Sequence, residues 1–332
     1  MTILLSADDR TGALEIGGLI ASTTDPVPVG PHARSATCCV VDISSRHLDV
    51  AAAKRRMQHL VDLPARHRAH KMDAGLRGNW AHEVQVLLDN GYKVAILCSF
   101  PDANRRCRDG VVYIHDLPVL ESVFGQDPLS RPVSSKPAEV LAHCGVTGDV
   151  VVWDADNNEE LAAGIRRAAA EQRVVVGAAG AIAAFAQSIA PTAATRSLQL
   201  KPPVLVVCGS LNPQSRAQLD RLSIAPQIEH YELGESDALT VWTTPAVNGE
   251  IEPAQALRVA SDLAKATNQV WSKLNTLVVV GGDTVAAIVG DDTLDCIGSV
   301  APGIPVSHYR GLDLVTKGGG IGPLDVFSDI LP

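Results

Sequence analysis

One pattern recurs along the chain: a short run of Val, Ile and Leu, then a turn of Gly, Asp, Ser or Asn, then a segment with helical periodicity. Short apolar runs without alternating polar residues are typical of parallel strands buried on both faces. In the first half we predict strands over 2–6, 37–43, 69–72, 93–99, 149–153 and 173–177, and helices over 48–61, 79–90 and 158–171. The alternation predicts an α/β fold class with mainly parallel sheets.

A chain of 332 residues is long enough for about two domains. The pattern lapses into a polar, proline-flanked stretch between Pro191 and Pro203, so we predict two α/β domains, 1–195 and 203–332, with an interdomain cleft. In the second half we predict helices from 212 and over 253–274, and strands within 202–210, near 228–233 and 239–244, and over 276–280 and 312–316. Residues 100–136 are interpreted as a loop and a hairpin, an insertion of the kind that is usually functional.

The composition of the chain limits the classes of molecule that it is expected to bind. The chain has 37 acidic and 28 basic residues, a net charge of −9, so no global positive field would attract nucleic acid. Asp8 and Asp9 precede any apolar signal core, and the uncharged stretch 174–195 contains Gly177, Gly180 and Pro191. We therefore expect no membrane partner and a cytoplasmic location. The seven cysteines lack a CxxC pair and are interpreted as buried apolar residues in a reducing compartment.

Two charged turns follow predicted strands in the first half. Asp8 and Asp9 come after the first strand, and Lys71, Asp73 and Arg77 lie in a second turn with two glycines. Ligands of open α/β sheets bind beyond the carboxyl ends of strands. Adjacent carboxylates repel each other unless a cation or a hydroxyl uses them, although helix capping is the plainer alternative. Arg can grip a carboxylate, although a surface ion pair would account for Asp73 equally well.

The second half contains glycine-rich turns at three predicted strand ends. A helix start with free backbone N–H groups favours an anion, and a lysine adds a positive charge. A single turn of this kind is weak support, but three of them indicate a polyphosphate site. Its candidate residues are Ser210, Gly281, Gly282, Asp283, Thr284, Lys317, Gly318, Gly319, Gly320 and Gly322.

Several common motifs are absent from the sequence. It contains no GxxxxGK[ST], no opening GxGxxG, no GxSxG and no HExxH. His67 and His70 lie among Arg and Lys residues, and we interpret them as part of a solvated charged segment rather than as metal ligands. No metal ligand can be assigned from the sequence.

The ordered motifs carry a family resemblance. The chain reads ADDRTGA, VVDISSRHL, KMDAGLRGN, FPDANRRCRDG, VLVVCGSLNPQSRAQLD, VVVGGDT, PGIPVSHYRG and TKGGGIG, and in this order it resembles the four-carbon acid sugar kinase family. The resemblance spans nearly the whole chain. It implies an N-terminal domain that binds a sugar acid and a C-terminal domain that binds ATP. It also implies Mg²⁺-dependent phosphorylation of a tetronate such as threonate, erythronate or 3-oxo-tetronate.

The resemblance also assigns residues. It implies that Asp8, Asp9, Arg46, Lys71, Asp73 and Arg77 face the sugar acid, and we add Asn79 and Arg105 to the substrate-binding set. One carboxylate among Asp8, Asp9 and Asp73 would accept the proton of the attacking hydroxyl, and the sequence leaves open which one. The implied partners are the sugar acid and ATP, with a homo-oligomer left open.

The chain departs from the family pattern at three places. Ala74 and Gly75 stand where Ser and Thr are usual, Asn212 stands for Ser, and the chain is shorter between 223 and 253. Loss of hydroxyls from a site can change substrate preference by several powers of ten. The alternative function is therefore a catalytically degenerate protein that binds the sugar acid or nucleotide. A weaker third alternative, from the α/β pattern alone, is a nicotinamide-dependent oxidoreductase.

Overall fold

The computed structural model describes residues 2–127, 130–194, 197–222, 224, 226–228, 231–234, 238–245 and 253–332. The chain divides into two compact units. Unit 1 comprises Met1–Ile16 and Pro28–Ala193, and unit 2 comprises Gly17–Val27 and Ala194–Pro332. The sequence boundary between 195 and 203 and the assignment of one ligand to each domain stay predictions.

Unit 1 is built around parallel strands. The elements in chain order are β1 (Ile3–Ala7), α1 (Arg10–Ile20), β2 (Val27–Gly30), β3 (Cys38–Asp42), α2 (Val50–Val61), β4 (His67–Lys71), α3 (Trp80–Asp89), β5 (Lys93–Leu97), β6 (Arg105–Arg108), β7 (Val111–Ile114), β8 (Leu117–Pro118), α4 (Pro137–His143), β9 (Val150–Val152), α5 (Asn158–Ala170), β10 (Arg173–Gly177) and α6 (Ala179–Ile189). The strand order is β2-β3-β1-β4-β10-β5-β9, and these neighbours are parallel. The α/β fold class and its parallel strands are confirmed.

The chain reverses direction across the sheet at β1. It leaves β1 to form β2 and β3 on one side and then returns to form β4 on the other side. Such a switch point opens a crevice beyond the carboxyl ends of the strands. Two helices of unit 1 have side-chain N-caps, because Asp49 accepts from Ala52 N and Asn157 accepts from Glu160 N.

Unit 2 repeats this topology in its parallel part. Its elements are β11 (Val204–Cys208), α7 (Pro213–Leu219), β12 (Gln227–Ile228), β13 (Leu239–Thr243), α8 (Pro253–Val270), β14 (Thr276–Val280), α9 (Gly282–Val289), β15 (Leu294–Ala301), β16 (Ile304–Tyr309), β17 (Leu312–Lys317) and α10 (Val326–Ile330). The order is β12-β13-β11-β14-β17-β16-β15, with the switch point at β11. The strand predicted near 228–233 partly lies outside the described residues, as does part of the shortened stretch 223–253.

One interpretation of the sequence was wrong. His67 and His70 do not lie in a solvated segment, because 67–71 forms β4, between β1 and β10. His70 is buried, and its ring nitrogens lie 2.8 Å from Ser6 Oγ and 2.8 Å from Glu83 Oε2. The local run of charge hid this burial, because both partners come from distant parts of the chain.

Two further predictions for the elements of unit 1 are confirmed. The insertion 100–136 contains the antiparallel strands β6, β7 and β8, and 174–189 forms a strand followed by a buried helix. None of the seven cysteines, all of which lie in the described ranges, forms a disulfide, and five of them are buried. No helix in the part of the chain that the structure describes combines the length and apolarity needed to cross a bilayer.

Candidate functional site

The predicted charged residues of unit 1 meet at the carboxyl edge of the sheet. Ala7 at the end of β1 pairs with Lys71 of β4 and with Asp42 of β3, so Asp8 and Asp9 emerge between these strand ends. This is the switch point described above. The fold therefore places the first two charged turns of the sequence at one crevice.

Arg46 is the centre of this charged cluster. Its Nε lies 2.8 Å from Asp8 Oδ2, and its Nη2 lies 2.8 Å from Asp9 Oδ1 and 3.4 Å from an oxygen of Asp73. The loop that carries Arg46 is held by the backbone, because the Ser45 and Arg46 amides donate to the Asp8 carbonyl. One guanidinium thus draws three carboxylates together.

Asp73 and Arg77 form the second half of the cluster. Arg77 Nε and Nη2 donate to the two oxygens of Asp73 at 2.8 Å each, in bidentate geometry. Arg77 also donates to Asp127 and stacks over the Phe124 ring at 4.8 Å. The insertion therefore contributes Phe124 and Asp127, two residues that sequence reasoning missed.

Lys71 is buried against the first turn of α1. Its Nζ lies 3.8 Å from Asp8 Oδ1 and 3.8 Å from Asp9 Oδ1. A Cβ on Gly12 would lie 2.3 Å from that Nζ, so a larger residue would displace the ammonium group from its present position. Gly12 N also donates to Asp9 Oδ1 at 3.0 Å. The glycine of ADDRTG is thus explained by the lysine.

The three aspartates differ in exposure and proton affinity. The Asp9 side chain is 26% exposed, whereas those of Asp8 and Asp73 are 0% and 6% exposed. Burial raises the pKa of Asp8 despite Arg46 and Lys71. Burial acts the same way on Asp73, but Arg46 and Arg77 outweigh it and hold its pKa well below the usual range. Arg46 and Lys71 likewise hold the pKa of Asp9 below its ordinary value against burial. Of the three, Asp9 is the ionised carboxylate that a ligand can reach.

A cavity of about 410 Å³ opens beside the cluster. Arg46, Asn79 and Ser130 are among its lining residues. Asn79 Nδ2 donates to the carbonyls of Ser45 and Leu48 at 2.8 and 2.9 Å, so its amide group holds the Arg46 loop. The volume lies within the range of small-molecule sites.

The structure does not join Arg105 to the network by an ion pair between described residues. Its Nη1 donates to the Ala103 carbonyl at 3.2 Å, and its Nε has no hydrogen-bond partner among the described residues. Glu15 of α1 is a further acid that sequence reasoning missed. Burial raises the pKa of Glu15, and Lys71 and Arg105 oppose this shift. Glu15 lies six residues beyond Asp9 and belongs to no recognisable motif, so the sequence gave no signal that it lies near this cluster.

In unit 2, the three glycine-rich turns converge. Cys208, Val280 and Lys317 are aligned at the ends of the adjacent parallel strands β11, β14 and β17. A Cβ on Gly281 would lie 3.2 Å from Ser210, and one on Gly319 would lie 2.8 Å from Ser210 Oγ. Gly281 has a φ of 110°, a conformation that favours glycine. These close approaches make Ser210 the common neighbour of the other two turns.

The remaining predicted residues of unit 2 surround this point. Gly282 and Asp283 start α9, whose cap residue offers no side-chain hydrogen bond, and Thr284 Oγ1 lies 2.1 Å from the place of a Cβ on Gly209. Gly320 lies beside Asn212, and Gly318 accepts a hydrogen bond from Lys317. The helix start leaves backbone N–H groups for an anion.

Lys317 lies at the centre of this glycine cluster. It is 1% exposed, and its Nζ donates to the Gly318 carbonyl at 3.2 Å and lies 5.6 Å from the centre of the Phe327 ring. No carboxylate of the described residues lies within 4.0 Å of it. Burial lowers the pKa of Lys317 to about 8. An anionic ligand would supply the missing counter-charge.

Helix α7 holds the last glycine turn in place. Gln214 Nε2 donates to the Gly322 carbonyl at 2.6 Å, and Gln218 Nε2 donates to the same carbonyl at 3.0 Å. The spacing of four residues puts both amides on one helical face. Sequence reasoning missed both residues, although this spacing was a usable signal. Asn212, a departure from the family pattern, caps the helix by accepting from Gln214 N.

Metal ligands are not preassembled. The described ranges contain no group of three or more His, Cys, Asp or Glu side chains arranged to hold a metal ion. Mg²⁺ is often bound by substrate phosphates and water with one or two carboxylates, which does not require such a group. Asp283 is an exposed carboxylate in the first turn of α9 and could serve as one such ligand.

Comparison with known proteins gives consistent matches. Residues 3–145 match the model of a sugar-binding N-terminal domain. D-threonate kinase of Bordetella bronchiseptica is 26% identical, over 96% of this chain and 94% of that protein. D-threonate kinase of Salmonella typhimurium is 23% identical, over 100% and 98%, and that of Cupriavidus necator is 24% identical, over 97% and 95%.

Two solved structures share the fold. A Salmonella typhimurium LT2 protein, crystallised as a suspected tRNA synthase, superposes with a TM-score of 0.79 at 14% identity, over 99% of this chain and 98% of that chain. A Haemophilus influenzae protein of family DUF1537 superposes with a TM-score of 0.70 at 17% identity, over 98% of both chains.

Proposed function

We propose that this chain is a member of the four-carbon acid sugar kinase family and transfers the γ-phosphoryl group of ATP to a hydroxyl of a four-carbon sugar acid. The match of residues 3–145 to a sugar-binding N-terminal domain and the three D-threonate kinases that are similar over nearly the whole chain support this proposal. The observation that carries the proposal is that the switch points of the two units, which are equivalent in topology, hold side chains of different chemistry. The switch point of unit 1 holds carboxylates and cations, whereas that of unit 2 holds glycines and a lysine without a carboxylate partner. The first set suits a hydroxylated acid, and the second suits a polyphosphate.

Unit 1 would bind the acceptor. Arg46 and Lys71 offer positive charge to its carboxylate, and Asp9 offers an acceptor for a hydroxyl proton. The depressed pKa of Asp9 keeps it ionised near neutral pH, as a proton acceptor requires. Arginines engage both oxygens of all three aspartates, and Asp9 differs from the other two in its exposure. The more buried Asp8 and Asp73 would orient Arg46 and Arg77.

Unit 2 would bind the nucleotide. The N–H groups at the start of α9 and the Lys317 ammonium group would neutralise charge on the transferred phosphoryl group. Mg²⁺, bound with the phosphates, would supply further charge neutralisation, with Asp283 as a candidate ligand. Phosphoryl transfer requires positioning and charge neutralisation more than covalent participation by the protein.

The test is an assay of ADP release with Mg²⁺-ATP and a panel of four-carbon acids. D-threonate comes first, because three relatives carry the name D-threonate kinase. We expect turnover that falls about 10²- to 10⁴-fold in Asp9→Asn. Asp89→Asn, an exposed carboxylate at the end of α3, is the matched control and should retain full activity.

The outcomes separate the alternatives. ATP binding without turnover across the panel would support the degenerate binding protein, for which the Ala74-Gly75 loop is the specific reason. Turnover that Asp9→Asn leaves unchanged would overturn the assignment of the proton acceptor. Stabilisation by NADH without any by ATP would favour the oxidoreductase.

A further inference from the structure

We propose that Arg216 is a positioning residue for the nucleotide: its guanidinium group fixes Ser210, against which the other glycine turns close. This inference rests on the proposed function, because it concerns the same polyphosphate site. Arg216 lies in α7, after the turn that follows β11. It lies within the motif VLVVCGSLNPQSRAQLD, but it was not among the candidate residues of the polyphosphate site.

The contacts of Arg216 join two strand ends. Its Nε donates to the Ser210 carbonyl at 2.8 Å, at the exit of β11. Nη1 and Nη2 donate to the carbonyl and the hydroxyl of Thr244 at 2.7 Å each, and Nη1 also donates to the Thr243 hydroxyl, at the exit of β13. The guanidinium group therefore bridges the side of the switch point where β11 and β13 are neighbours.

Ser210 transmits this restraint to the rest of the site. Its Oγ accepts from Asn212 N at 3.2 Å, which shapes the turn into α7. The place of a Cβ on Gly319 lies 2.8 Å from the same Oγ, and the place of one on Gly281 lies 3.2 Å from the Ser210 backbone. Movement of Ser210 would therefore disturb both neighbouring turns. Close-packed contacts of this kind transmit displacements of a few tenths of an ångström.

The charge of Arg216 strengthens the argument. Among the described residues, its hydrogen-bond acceptors are neutral carbonyl or hydroxyl oxygens, and no carboxylate lies within 4.0 Å of it. No carboxylate of the described residues therefore neutralises its positive charge in a salt bridge. Arg216 is half-buried, and a charged group withdrawn from water is usually paired with an opposite charge. The planar guanidinium group of Arg216 fixes the turn that contains Ser210, and its positive charge adds to that of Lys317.

The experiment compares Arg216→Met and Arg216→Lys in the full chain. The dissociation constant of ADP is measured by calorimetry, and the KM values of ATP and of the acid are measured separately. We expect Arg216→Met to weaken ADP binding and raise the KM of ATP about 10- to 100-fold, with the KM of the acid within about twofold of wild type. Arg216→Lys keeps the charge but loses the fork, so it should retain most of the defect.

Controls keep the result interpretable. Arg221→Met removes an exposed arginine just beyond α7 and should leave ADP binding unchanged. If Arg216→Met fails to fold, Thr244→Val removes one acceptor of the fork and should weaken ADP binding by several-fold. Recovery of ADP affinity in Arg216→Ala on addition of guanidinium ion, absent in Arg221→Ala, would support the positioning role.

Two results would overturn the inference. Wild-type affinity for ADP in folded Arg216→Met would show that Ser210 needs no such restraint. Full affinity in Arg216→Lys would show that charge alone matters. In both cases ADP still binds to the wild type and the proposed function stands. If the wild type binds neither ADP nor ATP, the proposed function fails and takes this inference with it.

Discussion

Replacing Lys317 by methionine should stabilise the fold while removing nucleotide binding. Burial of the ammonium group lowers the pKa of Lys317 to about 8 from the ordinary 10.5. At about 1.4 kcal/mol per pKa unit, burial of this charge costs the folded state about 3 kcal/mol. Methionine has a similar shape and no charge. Loss of the Phe327 ring contact offsets part of the gain, about 0.5–1 kcal/mol. We therefore expect Lys317→Met to raise the free energy of unfolding by about 1–3 kcal/mol at pH 7.

The effect should depend on pH with a definite sign. At pH 7 Lys317 is protonated in the folded and the unfolded chain, so the cost is fully present. Between about pH 8 and 10.5 the unfolded chain binds a proton that the folded chain lacks, so the wild type gains stability as the pH rises. The advantage of Lys317→Met should then shrink.

Urea unfolding at pH 7 and pH 10, followed by circular dichroism, measures this difference. Lys201→Met is the matched control, because Lys201 is 73% exposed and its loss should change stability by less than about 0.5 kcal/mol. A destabilised Lys317→Met at pH 7, or an advantage that persists at pH 10, would refute the reasoning. Calorimetry on the same variant should show that ADP binding is lost.

Three further changes test other parts of the structure. Gly12→Ala places a methyl group 2.3 Å from Lys71 Nζ, so it should lower the free energy of unfolding by about 1–3 kcal/mol and raise the KM of the acid. A urea unfolding curve identical to that of the wild type would contradict this. Glu83→Ala leaves His70 without its carboxylate partner in the core and should cost about 3 kcal/mol, whereas an unchanged urea midpoint would show that the contact is dispensable. Arg77→Lys loses the bidentate contact with Asp73 and the stacking on Phe124. It should therefore raise the KM of the acid about tenfold and leave the KM of ATP unchanged. An equal rise in both KM values would argue against the place of Arg77 in the acceptor site.

The parallel strands were predictable because their signal is local. The run TLVVV was placed over 276–280, where β14 lies, and β10 likewise matches its predicted range. The strands β2, β15 and β16 were not predicted. Pro28 interrupts the first of these, and Gly298 and Pro305 interrupt the others, so their apolar patterns are broken.

The residues of the unit 1 site were partly predictable from the sequence, but the ion pairs and hydrogen bonds between them were not. Asp8, Asp9 and Lys71 follow strands, and the rule for open sheets brings them to one edge. That Arg46 would bridge three carboxylates depends on pairings between residues 27 to 38 positions apart. The misinterpretation of His70 has the same cause, since its partners Ser6 and Glu83 are far away in sequence. Arg216 lies within the motif VLVVCGSLNPQSRAQLD, but the motif did not indicate its contacts, because an arginine on a short helix is usually solvated.

The central claim is that a phosphoryl group passes from ATP to a hydroxyl of a small sugar acid, and ³¹P NMR of the products tests it most directly. With wild-type protein, Mg²⁺-ATP and D-threonate or another acid of the panel, the account predicts ADP together with a new phosphomonoester resonance that couples to a carbon-bound proton. It also predicts that Asp9→Asn forms both about 10²- to 10⁴-fold more slowly. Inorganic phosphate as the sole phosphorus product beside ADP, or no consumption of ATP with any four-carbon acid, would contradict it.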